Sequence, residues 1–392
     1  MKSTTTASAS GGSAAVIDDR HHAPLWNGSH LRRDELAHRG SLGSSDIMLG
    51  GRAFPKPFPI MLGTNGNMID YLRTDTTGLA TAQSIGMKVW REEVPWNFTK
   101  PGGARTFSGL ETVPGTRSTT NAATVASSVA SIKAAGLRPL LVVTVNNTPG
   151  LSSTWTSGIP CTPAQFSATM AWLVAQPGLQ GLDWELFNEP DGSGWGITAA
   201  LLTSAYQLAY PAMKSADPTC VIHSSPTQNI APSGYSGQGT PYWDACVTAG
   251  ILTGNGSGGK CYDILDFHQY SQSARTYHAD CAPNLASLYP SPMHGLIANF
   301  RAHMIANGDT SDMWMTECGW QSTGEGQMTP ALCKQFYQDF VVSLSGQDTR
   351  NGVPFSSYLK VFCQYAMNAN GAHWGIVGTP VAAVLAQLVK GS

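Results

Sequence analysis

Charge is what this 392-residue chain has least of: only 12% of its residues are Asp, Glu, Lys or Arg, about half the ~25% usual for a soluble domain. The 23 basic and 25 acidic residues leave a formal charge of −2, and no Lys/Arg block stands out. A surface that must neutralise several nucleic-acid phosphates is therefore not expected, nor is a face for an anionic membrane. Long apolar runs are missing too. The longest, Leu137 to Val145 and Val381 to Val389, fall short of the ~20 residues of a membrane helix. The eight cysteines form no C-x-x-C pair, which argues against a zinc knuckle or a thioredoxin-like redox site and leaves disulfides and buried thiols both open. The ten histidines show no H-E-x-x-H or other tight ligand spacing, so neither a catalytic metal nor another cofactor is expected. The start, MKSTTTASASGGSAAV, lacks the apolar segment of a signal peptide. Sequons at Asn27, Asn97, Asn146 and Asn255 nevertheless lean the expectation toward an extracellular or secreted protein.

What the chain has in plenty is apolar residues (42%) with 42 Gly and 24 Pro, the make-up of a globular chain with many uncharged loops. Residues 1–52 are too polar to offset chain entropy and are expected to be a flexible leader and arm. From there, residues 53–392 are expected to form one catalytic barrel. Short apolar runs at 59–67, 87–96, 137–147, 182–190, 220–228, 263–271, 312–320 and 359–368 read as strands. Helical stretches at 76–85, 118–135, 163–176, 198–216, 240–252, 292–307, 329–344 and 379–390 alternate with them, several opened by a cap or a first-turn proline such as Thr162-Pro163. Eight βα units predict a (β/α)8 TIM barrel, with its chemistry at the C-terminal strand ends.

Two of those ends carry a carboxylate. The fourth strand runs into Leu186-Phe187-Asn188-Glu189-Pro190 and the seventh into Trp314-Met315-Thr316-Glu317-Cys318-Gly319-Trp320. An apolar strand that delivers a carboxylate to a barrel mouth places it in a partly desolvated cleft. Two such groups facing each other are the equipment of glycoside hydrolysis, one protonating the leaving oxygen and the other attacking the anomeric carbon from about 5–5.5 Å away. One decoy can be dismissed. Gly254-Asn255-Gly256-Ser257-Gly258-Gly259-Lys260 imitates a phosphate loop, but Cys261 stands where Ser/Thr is needed. The segment also follows a helix and precedes a strand, the reverse of the required order.

On the Asn188-Glu189-Pro190 triplet and Glu317, the chain from about 58 to 390 resembles glycoside hydrolase clan A, retaining barrel glycosidases. Within the clan it is most similar to the β-xylosidase-like family 39 and related bacterial exopolysaccharide glycosidases. Trp374-Gly375-Ile376-Val377-Gly378-Thr379-Pro380 echoes the lead into that family's last helix. The resemblance implies an acid/base at Glu189 and a nucleophile at Glu317. It further implies that Arg91, ending the second strand, keeps the nucleophile ionised, that Asn188 bonds the sugar 2-OH, and that Tyr270 donates to the nucleophile with His268 in the same motif. Strand 8 departs from the pattern: Gln364 and Tyr365 stand where many relatives carry a tryptophan. Trp195 and Trp320, each just beyond a catalytic Glu, are candidates to stack on sugar. The expected partner is an oligosaccharide or polysaccharide, and the expected state a monomer. A barrel that binds carbohydrate without catalysis and a transglycosylase with the same site are the alternatives.

Overall fold

The structure, a computed structural model, describes residues 58–390 except 67, 70–74, 97–109, 114–115, 145–161, 193–196, 231–238, 270–292, 320–343, 366, 368–375 and 378–379. The arm expected over 1–52 lies outside them. Eight strands appear where eight were expected: β1 (Met61–Gly66), β2 (Val89–Pro95), β3 (Arg138–Thr144), β4 (Asp183–Leu186), β5 (Val221–His223), β6 (Leu265–His268), β7 (Met313–Cys318) and β8 (Leu359–Gln364). They form one parallel sheet in the order β5-β4-β3-β2-β1-β8-β7-β6. Parallel bridges His223↔Ile264 and Thr227↔Phe267 join β5 to β6 and close the ring. The fold is a (β/α)8 barrel.

The helices are α1 (Thr76–Ile85), α2 (Thr119–Ala134), α3 (Pro163–Val174), α4 (Ala199–Ala216), α5 (Gly239–Thr248), α6 (Met293–Ala306) and α7 (Pro380–Lys390). The one expected over 329–344 falls largely outside the described residues. Their starts follow local chemistry. Asp75 accepts from the Gly78 amide at 2.8 Å to open α1, and Thr162 with Gln165 forms a reciprocal capping box, with Pro163 opening α3. Two short antiparallel ribbons, Glu111–Val113 with Thr116–Arg117 and Gln347–Asp348 with Val353–Pro354, were not foreseen.

Alternation along the strands divides the side chains between two cores. One face joins the helices in a single large cluster that includes Leu62, Val94, Leu141, Trp184, Ile222, Phe267, Met315 and Phe362. The other lines the barrel, where the apolar cluster is small: Val89, Leu140, Trp314, Val361 and Cys363. Charge takes up much of the remaining interior. Arg138 on the barrel floor forks onto Asp183 at 2.6 and 2.5 Å. His223 stands between Asp183 (Nε2 to Oδ1, 3.1 Å) and Asp266 (Nδ1 to Oδ1, 2.9 Å). Its ring edge meets Trp314, with centroids 4.6 Å apart.

Burial alone would lower the His223 pKa, but the two aspartates raise it to about 10. A histidine charged when folded at pH values where it is neutral when unfolded stabilises the fold below its unfolded value of about 6.5, and this contribution fades as pH rises through about 10. The melting temperature of the protein is therefore expected to decline between those limits. His223→Asn should melt lower at neutral pH but show a flatter profile across that window. Parallel profiles for the two proteins would contradict the assignment.

Candidate active site

Five of the expected site residues, Arg91, Asn188, Glu189, His268 and Glu317, lie among the described residues. Arg91 does not end β2: it is the third of the seven residues of Val89–Pro95, because the strand runs on until Pro95. It is nearly fully buried. Glu317 is the next-to-last residue of β7, 5% exposed. The fourth strand stops at Leu186, short of the expected 190. The cause is local: Phe187 and Glu189 take left-handed backbone angles, φ +68° and +46°, which cannot continue a parallel strand. Such angles cost a non-glycine residue on the order of 1–3 kcal/mol and persist only where the surroundings enforce them.

Those surroundings are visible. The Phe187 ring stacks on Phe166 of α3 at 4.6 Å, and Phe166 on Trp96 at 5.1 Å. From α4 the Tyr206 hydroxyl reaches the carbonyl oxygens of Leu186 and His223, both at 2.9 Å, tying the ends of β4 and β5 together. The Glu189 amide donates to Pro226 O at 3.1 Å. Asp191 then accepts from the amides of Gln228 (3.0 Å) and Gly239 (3.1 Å). The loop bearing Glu189 is thus pinned to the next strand loop and to α5.

These elements bring Glu189, Glu317 and His268 together: one donor atom from each lies within 4.8 Å of the other two. His268 Nδ1 is 2.7 Å from Glu189 Oε1 and 3.6 Å from Glu317 Oε2. Gln228 Nε2 donates to Glu189 Oε2 at 3.3 Å. Two carboxylates and one imidazole at this spacing could also hold a metal ion, the only such group among the described residues. The carboxylates have unlike neighbours. Glu317 Oε1 accepts from Arg91 Nη1 at 2.5 Å, and a cation in contact favours a charged partner. Burial holds the Glu189 carboxyl above its usual range, opposed by Gln228 and more weakly by Arg91. Burial pushes the His268 imidazole down to about 4 despite the nearby Glu317, so the ring is neutral at ordinary pH.

Asn188 meets Arg91 as well, its Oδ1 accepting from Nη2 at 2.7 Å. Trp195, Tyr270 and Trp320 fall outside the described residues. Tyr365, beyond the end of β8, has its phenol pushed up by burial and then by the charge of Glu317. The glycine-rich decoy is a loop closed on itself: Asn255 Oδ1 accepts from the Ser257 amide (3.0 Å) and the Gly259 amide (2.8 Å). Cys220, Cys246, Cys261, Cys318 and Cys363 are buried free thiols.

Sequence reasoning missed four residues here: Asn65, Glu185, Gln228 and Asp266. Glu185 is fully buried and forks onto Arg91, with Oε2 accepting from Nε at 3.0 Å and Oε1 from Nη2. Asn65 accepts from Arg91 Nη1 at 2.7 Å and donates to Thr316 O at 3.0 Å. The available signal was the spacing of two in Asp183-Trp184-Glu185 and Asp266-Phe267-His268, which sets both polar residues of each strand on one face.

No protein-family model matches the chain, and no curated protein matches it. Among solved structures it is similar to a family 39 glycoside hydrolase from the gut symbiont Bacteroides cellulosilyticus WH2, with 17% identity over 85% of this chain and 64% of that one and a TM-score of 0.55. A glucosidase from Croceicoccus marinus shares 12% identity over 83% of this chain and 66% of that one, TM-score 0.56. A β-glucosidase from Thermotoga maritima, solved with galacto-hydroximolactam, shares 10% over 86% and 98%, TM-score 0.54. The chain thus spans just under two thirds of the first two. Likeness at such low identity speaks to architecture, and that architecture is the (β/α)8 barrel the strand order displays.

Proposed function

We propose that this protein is a retaining β-glycosidase that cleaves β-linked oligosaccharide or polysaccharide by double displacement, with Glu317 as nucleophile and Glu189 as acid/base. The observation that carries the reading is the approach of the Glu189 and Glu317 oxygens to within 4.8 Å. Retaining enzymes hold their carboxyls about 5–5.5 Å apart, whereas inverting ones leave about 6.5–9.5 Å for a water. The electrostatics support the same division of labour. Glu317 sits on Arg91 and is suited to attack as a carboxylate, while Glu189 in its desolvated position keeps a proton to higher pH and is suited to donate it.

In the first step a Glu317 oxygen attacks the anomeric carbon as the Glu189 proton passes to the departing glycosidic oxygen. In the second, Glu189 as carboxylate takes a proton from water, which displaces Glu317. Neutral His268 can meet Glu189 in either state through Nδ1, donating its own hydrogen to the carboxylate as the Nδ1–H tautomer or accepting from the acid as the Nε2–H tautomer. The Asn188 oxygen is occupied by Arg91, which leaves its NH2 group as the donor for a sugar hydroxyl. The likeness to solved glycosidases supports a carbohydrate substrate, and no helix among the described residues is long and apolar enough to cross a membrane.

A panel of β-linked polysaccharides and aryl β-glycosides, with product sizing, tests the activity. NMR of the first sugar released from a cleaved substrate tests the mechanism: the β anomer is expected before mutarotation. An α anomer appearing first would overturn the double displacement.

A further inference from the structure

The guanidinium of Arg91 has five N–H donors, and the structure accounts for all of them. Nε and one Nη2 hydrogen go to the two oxygens of Glu185. The other Nη2 hydrogen goes to Asn188 Oδ1 at 2.7 Å. The Nη1 pair goes to Asn65 Oδ1 at 2.7 Å and Glu317 Oε1 at 2.5 Å. Of these partners only Glu185 grips the ion at two points, the planar fork that fixes a guanidinium in orientation as well as place. Asn65 and Asn188 are neutral and hold one hydrogen each. Glu185 is fully buried beneath Arg91 and reaches no substrate.

We infer that Glu185 is a positioning residue: by its two-point grip it aims Arg91, and through Arg91 it fixes the attacking oxygen of Glu317. The inference rests on the double-displacement reading and adds to it a residue that the chemistry itself does not touch. The surroundings of Glu185 support a fixed anchor. Asp266 and His268 approach from β6, Arg91 from β2, and Glu185 adds to the charge felt by Cys363 of β8. Asp266 is itself held by both oxygens to His223 Nδ1, at 2.9 and 3.0 Å, and His223 leads on to Asp183 and Arg138 at the barrel floor. Charged side chains thus line the interior from the floor to the nucleophile in two ion-paired groups, Arg138-Asp183-His223-Asp266 below and Glu185-Arg91-Glu317 above, with Asp266 and Glu185 meeting between them as two carboxyls. Burial pushes the Glu185 carboxyl up, opposed by the Arg91 guanidinium and reinforced by Asp266, so the Arg91 contact is what favours its charged form.

The test measures the nucleophile directly. A 2,4-dinitrophenyl 2-deoxy-2-fluoro-β-glycoside of the sugar that the wild type turns over traps the glycosyl-enzyme, and peptide mass mapping locates the label. Glu185→Gln should be labelled at Glu317 about 10²-fold more slowly per folded molecule, the penalty typical of a displacement of about 1 Å at a reacting centre. KM on an aryl substrate should change little by comparison with kcat. Asp309→Asn supplies the control for mere loss of stability. Asp309 is fully buried on the floor side, accepting from the Tyr262 hydroxyl at 2.6 Å and the Ser311 amide at 2.9 Å, and its substitution should lower the melting temperature without slowing labelling. Glu185→Asp, which keeps the buried charge but retracts the fork, serves the same comparison if the Gln variant does not fold. Labelling of the Glu185 variant at the wild-type rate, or an equal slowing in the Asp309 control, would overturn the inference and leave the double displacement standing. A wild type labelled somewhere other than Glu317 would sink both.

Discussion

Glu317→Gln is expected to abolish turnover on every substrate, by about four orders of magnitude or more, as removal of a covalent nucleophile does elsewhere. Two features make the expectation sharp. Glu317 is the carboxylate that combines contact with Arg91 at 2.5 Å and closeness to Glu189, so no other group among the described residues is placed to form the glycosyl-enzyme bond. The variant should also remain folded, because Arg91 keeps its fork to Glu185. A buried cation that retains one anionic partner avoids the roughly 3–5 kcal/mol that follows when a buried ion pair is broken outright. Kinetics on activated and natural substrates, alongside thermal unfolding, make the comparison. Activity within tenfold of the wild type would remove Glu317 from its role.

Glu189→Gln should behave differently, and the difference depends on the leaving group. Against an unactivated substrate the loss is expected to be severe, of the order of 10²–10⁴-fold for a missing general acid. Against an aryl glycoside whose phenolate leaves unaided, the first step should survive and the intermediate should accumulate. Added azide, which needs no general base, should then restore turnover and release a glycosyl azide of retained configuration. The pH profile gives a second reading. Burial raises the Glu189 pKa, so with Glu189 as the proposed general acid the proton to be donated persists above the ordinary carboxylate value of about 4.3, and wild-type activity should fall only as pH climbs past that raised value. That alkaline limb should vanish in Glu189→Gln on the activated substrate. Rescue by azide of a Glu317 variant alone, giving the inverted azide, would exchange the two roles.

The order of strands and helices was legible in the sequence because each strand is a short apolar run between turn residues and each helix a longer stretch beginning with a cap. Glu189, Glu317, Arg91 and Asn188 were legible because each lies in or just beyond such a run. The charged interior was not. Asp183 and Glu185 can be seen to share a face, as can Asp266 and His268. That His223 would lie between Asp183 and Asp266 depends on the closure of the barrel between β5 and β6, a contact that two isolated bridges make. Neither composition nor spacing carries that information. The early end of β4 was hidden for another reason: the left-handed angles of Phe187 and Glu189 are imposed by Phe166, Tyr206 and Pro226, which reach them from other elements. The ribbon at 111–117 did have a local signal in Pro114-Gly115, a turn pair that marks hairpins and loops alike.

The left-handed backbone of Glu189 sets stability against activity at a single codon. That position demands a backbone angle glycine adopts freely, and it buries a carboxyl whose charge the site does not welcome. Glycine there would relieve both burdens at once, and asparagine would ease them in part. A library sorted for thermal tolerance alone should therefore be enriched in variants at residue 189 that outlast the parent and, with Glu189 as the proposed acid/base, turn over unactivated substrates poorly, so that any campaign to harden this barrel has to select on turnover as well as on survival.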